Sequence, residues 1–301
     1  MTATFMAATT LDEATTALAA GARPVAGGTD LVVGARQGKV RLPDAIVGID
    51  RIASLRGLAP SGDGLRLGAL VTHEEIVADE LVRTRYSALA DASAIIGSHA
   101  TRATGTIGGN VMNASPAMDT GGPLLCFGAT VTLASTGGER TLALGELWTG
   151  PGTTTAEPGE LLVRLDLPAP APGTGSAYVR LEYRRQMEIA VVGATAVLTM
   201  VGGTVDEARI AITALSPTIR RVAEAEAVLV GSSGDDAAIR AAADAAAAGS
   251  APIDDVRASA GYRRAMAAVI AARAIAVALV RARGGAVRVP ASQVRDPGGP
   301  T

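Results

Sequence analysis

Apolar and polar positions divide the chain into short periodic runs with explicit start and stop signals. Thr10-Leu11-Asp12-Glu13 has the form of a capping box and predicts a helix through Ala20, which Gly21 stops. Arg23 to Ala26 reads as a short strand, Thr29 or Asp30 as the cap of a second helix, and Ala45 to Ile49 as another strand. This alternation predicts a small α/β unit. Leu65 to Leu70 continues as a strand, Thr72-His73-Glu74-Glu75 is a second capping box, and Arg83 to Ile96 reads as a single helix. After a glycine-rich segment come a helical turn at Pro123 to Phe127 and a hairpin. The hairpin pairs Ala129 to Ser135 with Arg140 to Leu144 across Gly137-Gly138, and a strand from Leu161 to Leu167 is closed by Pro168.

The run Pro168-Ala169-Pro170-Ala171-Pro172-Gly173-Thr174-Gly175 has linker composition. Beyond it, Tyr178 to Tyr183, Val191 to Met200 and Arg209 to Leu215 read as strands, the last two joined across Gly202-Gly203. Helices are expected at Arg221 to Val230 and Asp235 to Ala248. Asp254-Asp255 is expected to cap a long helix ending near Arg281 and Arg283, roughly 40 Å at about 1.5 Å per residue. Three strands followed by helices predict an antiparallel sheet in an α+β domain. The expected division is 1–55, 56–170 and 176–285, with a loose tail over 286–301.

Composition narrows the function. With 27 basic and 29 acidic residues among 301, the net charge of -2 argues against a nucleic-acid or anionic-membrane partner. Aromatics at 2% leave no base-stacking platform. A single cysteine, Cys126, permits no internal disulfide and too few thiolates for an iron–sulfur cluster held by this chain alone. The two histidines, His73 and His99, are too few for a His-rich metal site and read as surface or helix-start residues. The N-terminus lacks a signal-peptide pattern, and the apolar run Ala265 to Val280 carries Arg273 at its middle. Hence a helix packed on protein, no membrane insertion and a cytoplasmic location are expected.

Two glycine clusters offer chemistry. Ala26-Gly27-Gly28-Thr29-Asp30 sits where a strand hands over to a helix, the usual place for an anion. Gly105-Thr106-Ile107-Gly108-Gly109-Asn110 follows about eighty residues later and adds a hydroxyl and a side-chain amide. Either alone fits a tight turn equally well; together they can clamp a pyrophosphate, which points to a dinucleotide. Neither has the Gly-x-Gly-x-x-Gly spacing of a nicotinamide-dinucleotide fold.

These segments, in order with Ala114-Ser115-Pro116, Asp119, Gly145-Glu146-Leu147, Gly150-Pro151-Gly152, Pro158-Gly159-Glu160-Leu161-Leu162, Arg184-Arg185, Ile189-Ala190, Pro252 to Ser259 and Tyr262-Arg263-Arg264, resemble the flavin-binding medium subunit of the molybdenum hydroxylases. The resemblance covers residues 3 to 283. It implies an α+β fold, with a two-part PCMH-type FAD-binding α/β region followed by a C-terminal domain of a small antiparallel sheet and helices. It also implies bound FAD. Partner chains would carry 2Fe–2S clusters and a molybdenum cofactor in a heterotrimer or a dimer of heterotrimers. By the same resemblance, Val25, Ala26, Gly27, Gly28, Thr29 and Asp30 with Thr104, Gly105, Thr106, Ile107, Gly108, Gly109 and Asn110 contact the pyrophosphate. Asp119 bonds ribityl or ribose hydroxyls, Ile96 and Leu162 pack on the isoalloxazine, and Arg180 stands where the family usually has a lysine near the flavin. Plainer roles fit the same residues: core positions for Ile96 and Leu162, a cap for Asp119, a solvated strand residue for Arg180.

The chain departs from the family at Ala100-Thr101-Arg102-Ala103, which keeps only the arginine of a Gln-(Ile/Val)-Arg-Asn approach. Glu188 replaces an aspartate, and Met118 and Thr120-Gly121-Gly122 replace Ala- and Pro-rich surroundings. The implied function is electron transfer from 2Fe–2S clusters of a partner through FAD to an external acceptor, with no catalytic acid, base, nucleophile or metal ligand in this chain. A stand-alone flavoprotein oxidoreductase and a flavin-free scaffold are the alternatives.

Overall fold

The computed structural model describes residues 4–38 and 40–293; the expected loose tail lies, past Gln293, outside them. The chain opens with β1 (Thr4–Ala7), α1 (Leu11–Ala19), β2 (Arg23–Val25), α2 (Leu31–Arg36) and β3 (Ala45–Gly48). The three strands form a parallel sheet in the order β1-β3-β2. Both halves of the Thr10–Glu13 capping box are present at the start of α1. α2 buries none of its six residues, and Val32 and Val33 are exposed.

The middle of the chain is built on β4 (Leu58–Ser61) and β5 (Gly64–Gly68), then α3 (His73–Ala78), α4 (Glu80–Arg85), α5 (Ser87–Ala94), α6 (His99–Arg102), α7 (Ile107–Met112) and α8 (Gly121–Cys126). The hairpin β6 (Thr130–Ser135) and β7 (Gly138–Ala143), the turn α9 (Leu144–Leu147), the small pair β8 (Trp148–Gly150) and β9 (Thr153–Thr154), and β10 (Leu161–Leu167) complete it. These form an antiparallel five-stranded sheet, β4-β5-β10-β6-β7. The helix expected over 83–96 is two helices. At Tyr86 the backbone leaves the helical region (φ -123°, ψ 41°), and the side chain is fully buried, donating its hydroxyl to Pro168 O at 3.0 Å and packing edge-on to Phe127. Tertiary anchoring outweighs local propensity there. β1 and β4 are strands that the hydrophobic pattern does not single out.

The C-terminal unit contains β11 (Thr174–Leu181), β12 (Val192–Val201), β13 (Thr204–Thr213) and β14 (Arg220–Arg221), then α10 (Ala223–Leu229), α11 (Asp236–Ala248) and α12 (Ala260–Ala282). Its antiparallel sheet runs β11-β12-β13-β14, with the expected turn at Gly202-Gly203. Eight consecutive residues of β12 are buried, because α12 packs on the strand from within the C-terminal unit while α8 and α5 of the middle unit also meet it. α12 starts at Ser259, not at Asp254-Asp255. Asp255 instead accepts from the backbone of Arg257 and Ala258, Asp254 accepts from Ala260 N, and Ser259 Oγ caps Tyr262 N. The helix is therefore 23 residues, about 34 Å long. Among the described residues it is the one helix long and apolar enough to cross a bilayer, yet Ala267, Ile270, Ala271, Ala274 and Ile275 are buried against the sheet and α11, as expected for a core helix.

A buried carboxylate ties the units together. Asp91 on α5 accepts from both terminal nitrogens of Arg281 on α12 (2.6 and 3.1 Å), from Tyr178 N and from Ala291 N.

Candidate functional site

The two glycine clusters touch. A Cβ placed on Gly27 would lie 1.8 Å from the carbonyl oxygen of Thr104, so only glycine permits the approach of the first loop to the second. A Cβ on Gly105 would meet Thr29 Oγ1 and His73 Cδ2, each at 3.5 Å. The two segments therefore border a single junction.

The clusters differ in what they offer. Between β2 and α2 the chain turns through Gly28 (φ +68°), and among the described residues no acceptor meets the N–H groups of Ala26, Gly27, Gly28, Thr29, Asp30 or Leu31. Val25, at the end of β2, uses its carbonyl to accept from Ile49 N. Asp30 occupies the cap position of α2 but makes no side-chain capping bond. Six consecutive amides without a protein acceptor are the kind of array that can hold an anion.

The second segment is not an open loop. Thr106 caps α7 by accepting from Gly109 N at 3.1 Å, and Gly108, Gly109 and Asn110 form the first turn of that helix. Gly105 N donates to Thr101 O, Ile107 N to Val71 O, Gly108 N to Ala69 O and Asn110 N to Thr106 O. Most amides of this cluster are thus engaged within the fold. What it presents is the Thr106 N–H and hydroxyl, the Asn110 side-chain amide nitrogen, and Thr104, whose hydroxyl donates back to Ala100 O. Asn110 Oδ1 is occupied by Thr120 Oγ1 at 2.6 Å.

From Asn110 and Thr120 the polar network continues to a buried ion cluster. Asp119 accepts from the Tyr178 hydroxyl (2.6 Å) and from Arg180 Nη1 (2.8 Å). Arg180, with a fully enclosed side chain, also donates to Glu182, to Ile95 O at 3.1 Å and to Glu188 O. Burial and the neighbouring Asp119 hold the Tyr178 phenol well above its ordinary range, so it stays protonated and donates. Arg180 is therefore no solvated strand residue, and both Asp119 oxygens already have protein partners. Ile96 is half-buried beside this cluster, while Leu162 is only 2% exposed and lies in the core of the middle unit.

The retained arginine of the 100–103 segment is structural. Arg102 donates to Ile96 O at 3.0 Å, lies 3.0 Å from His99 Nδ1, and pairs with Glu74 at 3.7 Å. The C-terminal unit closes over this region: Met187, a non-glycine residue at φ +53°, donates its N–H to Gly97 O, and Thr101 Oγ1 reaches its sulfur. One residue at the site, expected from the sequence to be a surface or helix-start histidine, is buried. His73 opens α3 but is 2% exposed beneath the two clusters; its partnership with buried Ile76, three positions on, is the sequence signal that identifies an inward face.

Residues 1–170 match the family model described as the FAD binding domain in molybdopterin dehydrogenase, and residues 177–278 match that of the CO dehydrogenase flavoprotein C-terminal domain. The chain is 34% identical over 268 residues to the carbon monoxide dehydrogenase medium chain of Afipia carboxidovorans, covering 89% of this chain and 92% of that one. It is 31% identical over 207 residues to the xanthine dehydrogenase FAD-binding subunit of Escherichia coli O157:H7, covering 68% and 70%. Its structure is similar to a chain of reconstituted CO dehydrogenase from Oligotropha carboxidovorans, with TM-score 0.89, 31% identity, and coverage of 93% of this chain and 99% of that one. Sheet order, paired glycine clusters and these matches agree, and the chain belongs to the family of FAD-binding medium subunits of molybdenum hydroxylases.

Proposed function

We propose that the chain is the FAD-carrying electron-transfer subunit of a cytoplasmic molybdenum hydroxylase. It acts beside a small subunit with 2Fe–2S clusters and a large subunit with the molybdenum cofactor, as a heterotrimer or its dimer. The observation that carries this reading is the contact of the two glycine clusters, with six free amides on one side and Thr106 and Asn110 on the other. That donor set suits a diphosphate, which brings only acceptor oxygens and negative charge. FAD, when bound, supplies the redox chemistry, taking electrons from the clusters and delivering them to an external acceptor.

The residues of this chain hold and orient that group. Ala26 to Leu31 supply amides, and Gly27 keeps the clusters close enough to share one diphosphate. Residues 1–55 and 56–170 form the two sides of the cleft, and residues 176–285 close it through Met187. Arg180 keeps a positive charge at the seam between the middle and C-terminal units, balanced by Asp119 and Glu182.

The test is purification of the complex from its native source, with release and quantification of flavin and identification of co-purifying chains. One FAD per chain, together with iron–sulfur and molybdenum-cofactor subunits, is the expected outcome. A folded chain without flavin absorbance refutes the reading, and turnover of a substrate by the flavin-loaded chain alone replaces it with a stand-alone oxidoreductase.

A further inference from the structure

We propose that His73 is a cofactor-anchoring residue whose Nε2 hydrogen-bonds the phosphate gripped between the two glycine clusters; this rests on the FAD-binding reading above. Three observations place it there. Its backbone N–H donates to Gly105 O at 3.1 Å, so the histidine is fastened to the second cluster. Its Cδ2 lies 3.5 Å from the point where a Cβ on Gly105 would stand, and Thr29 Oγ1 of the first cluster lies 3.5 Å from that same point. The Cδ2 corner of the ring, to which Nε2 is bonded, therefore faces the junction of the clusters. Finally, the residue is 2% exposed, yet among the described residues neither ring nitrogen has a partner, and Nδ1 is completely enclosed.

A buried imidazole without partners is costly, and packing alone would be served as well by leucine. Burial, helped by the Arg102 charge, lowers the His73 pKa to about 3, so the ring is neutral and carries one N–H. With Nδ1 walled in by the protein, the hydrogen belongs on Nε2, where it meets an anionic oxygen. The ring thus adds a side-chain donor on the side of the junction where most amides of the second cluster are already engaged.

The full chain is prepared with and without FAD, and the nitrogen resonances of His73 are read by two-bond proton–nitrogen correlation. FAD binding is expected to shift Nε2 and leave Nδ1 in place. The same preparation gives Kd values for H73L and H73Q by flavin fluorescence, and phosphorus spectra of the bound cofactor. H73L is expected to raise Kd tenfold or more and to move a phosphorus resonance. H73Q, whose amide nitrogen falls near the position of Nε2, is expected to stay within about threefold of wild type. An unshifted Nε2 in FAD-loaded wild type, or a folded H73L with unchanged Kd and phosphorus spectrum, overturns the role of His73 while leaving FAD binding intact. Failure of the wild-type chain to bind FAD overturns both.

Discussion

Replacing Gly27 by alanine tests the contact between the clusters with one methyl group. Gly27 does not occupy the left-handed region, so the substitution probes contact and not backbone strain. The new Cβ would stand 1.8 Å from Thr104 O and 2.6 Å from Thr104 C, whereas real Cβ atoms keep at least 3.0 Å. The obstacle is backbone held by the Gly105 N–H bond to Thr101 O at 2.7 Å, so the clusters must part by more than about 1 Å. Hydrogen bonds weaken steeply outside their normal lengths, and one to a charged group contributes about 1.5–3 kcal/mol. Loss of one such bond raises Kd for FAD by about ten- to a hundredfold. Flavin fluorescence titration reads the affinity, and urea unfolding of the flavin-free chain checks that the fold survives. Gly261→Ala, on the first turn of α12 with nothing within 4 Å of its Cβ, is the control and should leave Kd unchanged. A folded G27A chain that binds FAD like wild type refutes the shared-cleft reasoning.

Three further outcomes follow from the buried ionisable groups. Arg180→Met strands the Asp119 carboxylate without its counter-charge and should cost about 3–5 kcal/mol in urea unfolding; a loss below about 1 kcal/mol contradicts the pairing. Asp91→Ala removes the acceptor for Arg281, Tyr178 N and Ala291 N, and should speed hydrogen exchange of the Tyr178 and Ala291 amides by at least tenfold. His73 titrates near 6.5 when unfolded and near 3 when folded, so the unfolded chain binds the extra proton between those values. Wild-type stability should then fall relative to H73Q as pH drops from about 6.5 to about 3, by up to about 1.4 kcal/mol per pH unit; parallel profiles contradict a buried neutral ring.

The signals that the sequence carries faithfully are those whose cause is local. Thr10 and Thr72 cap helices as written because both bonds of a capping box lie within four residues. Gly202-Gly203 turns β12 into β13 for the same reason. The single helix expected at 83–96 divides because Tyr86 is anchored to Pro168, 82 residues away, where no glycine or proline marks the break. Asp254-Asp255 looks like a helix cap, but Asp255 is bonded by Arg257 N and Ala258 N before the helix begins and Asp254 reaches forward to Ala260 N, leaving Ser259 in the cap position. At the site, the glycine clusters are legible while their inequality is not. Which amides are free depends on Ala69 and Val71 accepting from the second cluster, a contact made only in the folded chain. The burial of His73 and the enclosure of Arg180 are likewise products of packing.

The junction of the clusters joins turns about eighty residues apart in the chain, and its N-terminal side rests on the smallest of the three cores found among the described residues. A nucleotide lodged there would act as a rivet, converting its own binding free energy into stability of that lightly built sheet. Loss of the rivet should therefore be felt first at the exposed ledge of Val32 and Val33, where a protease would find the chain before it reached the second cluster.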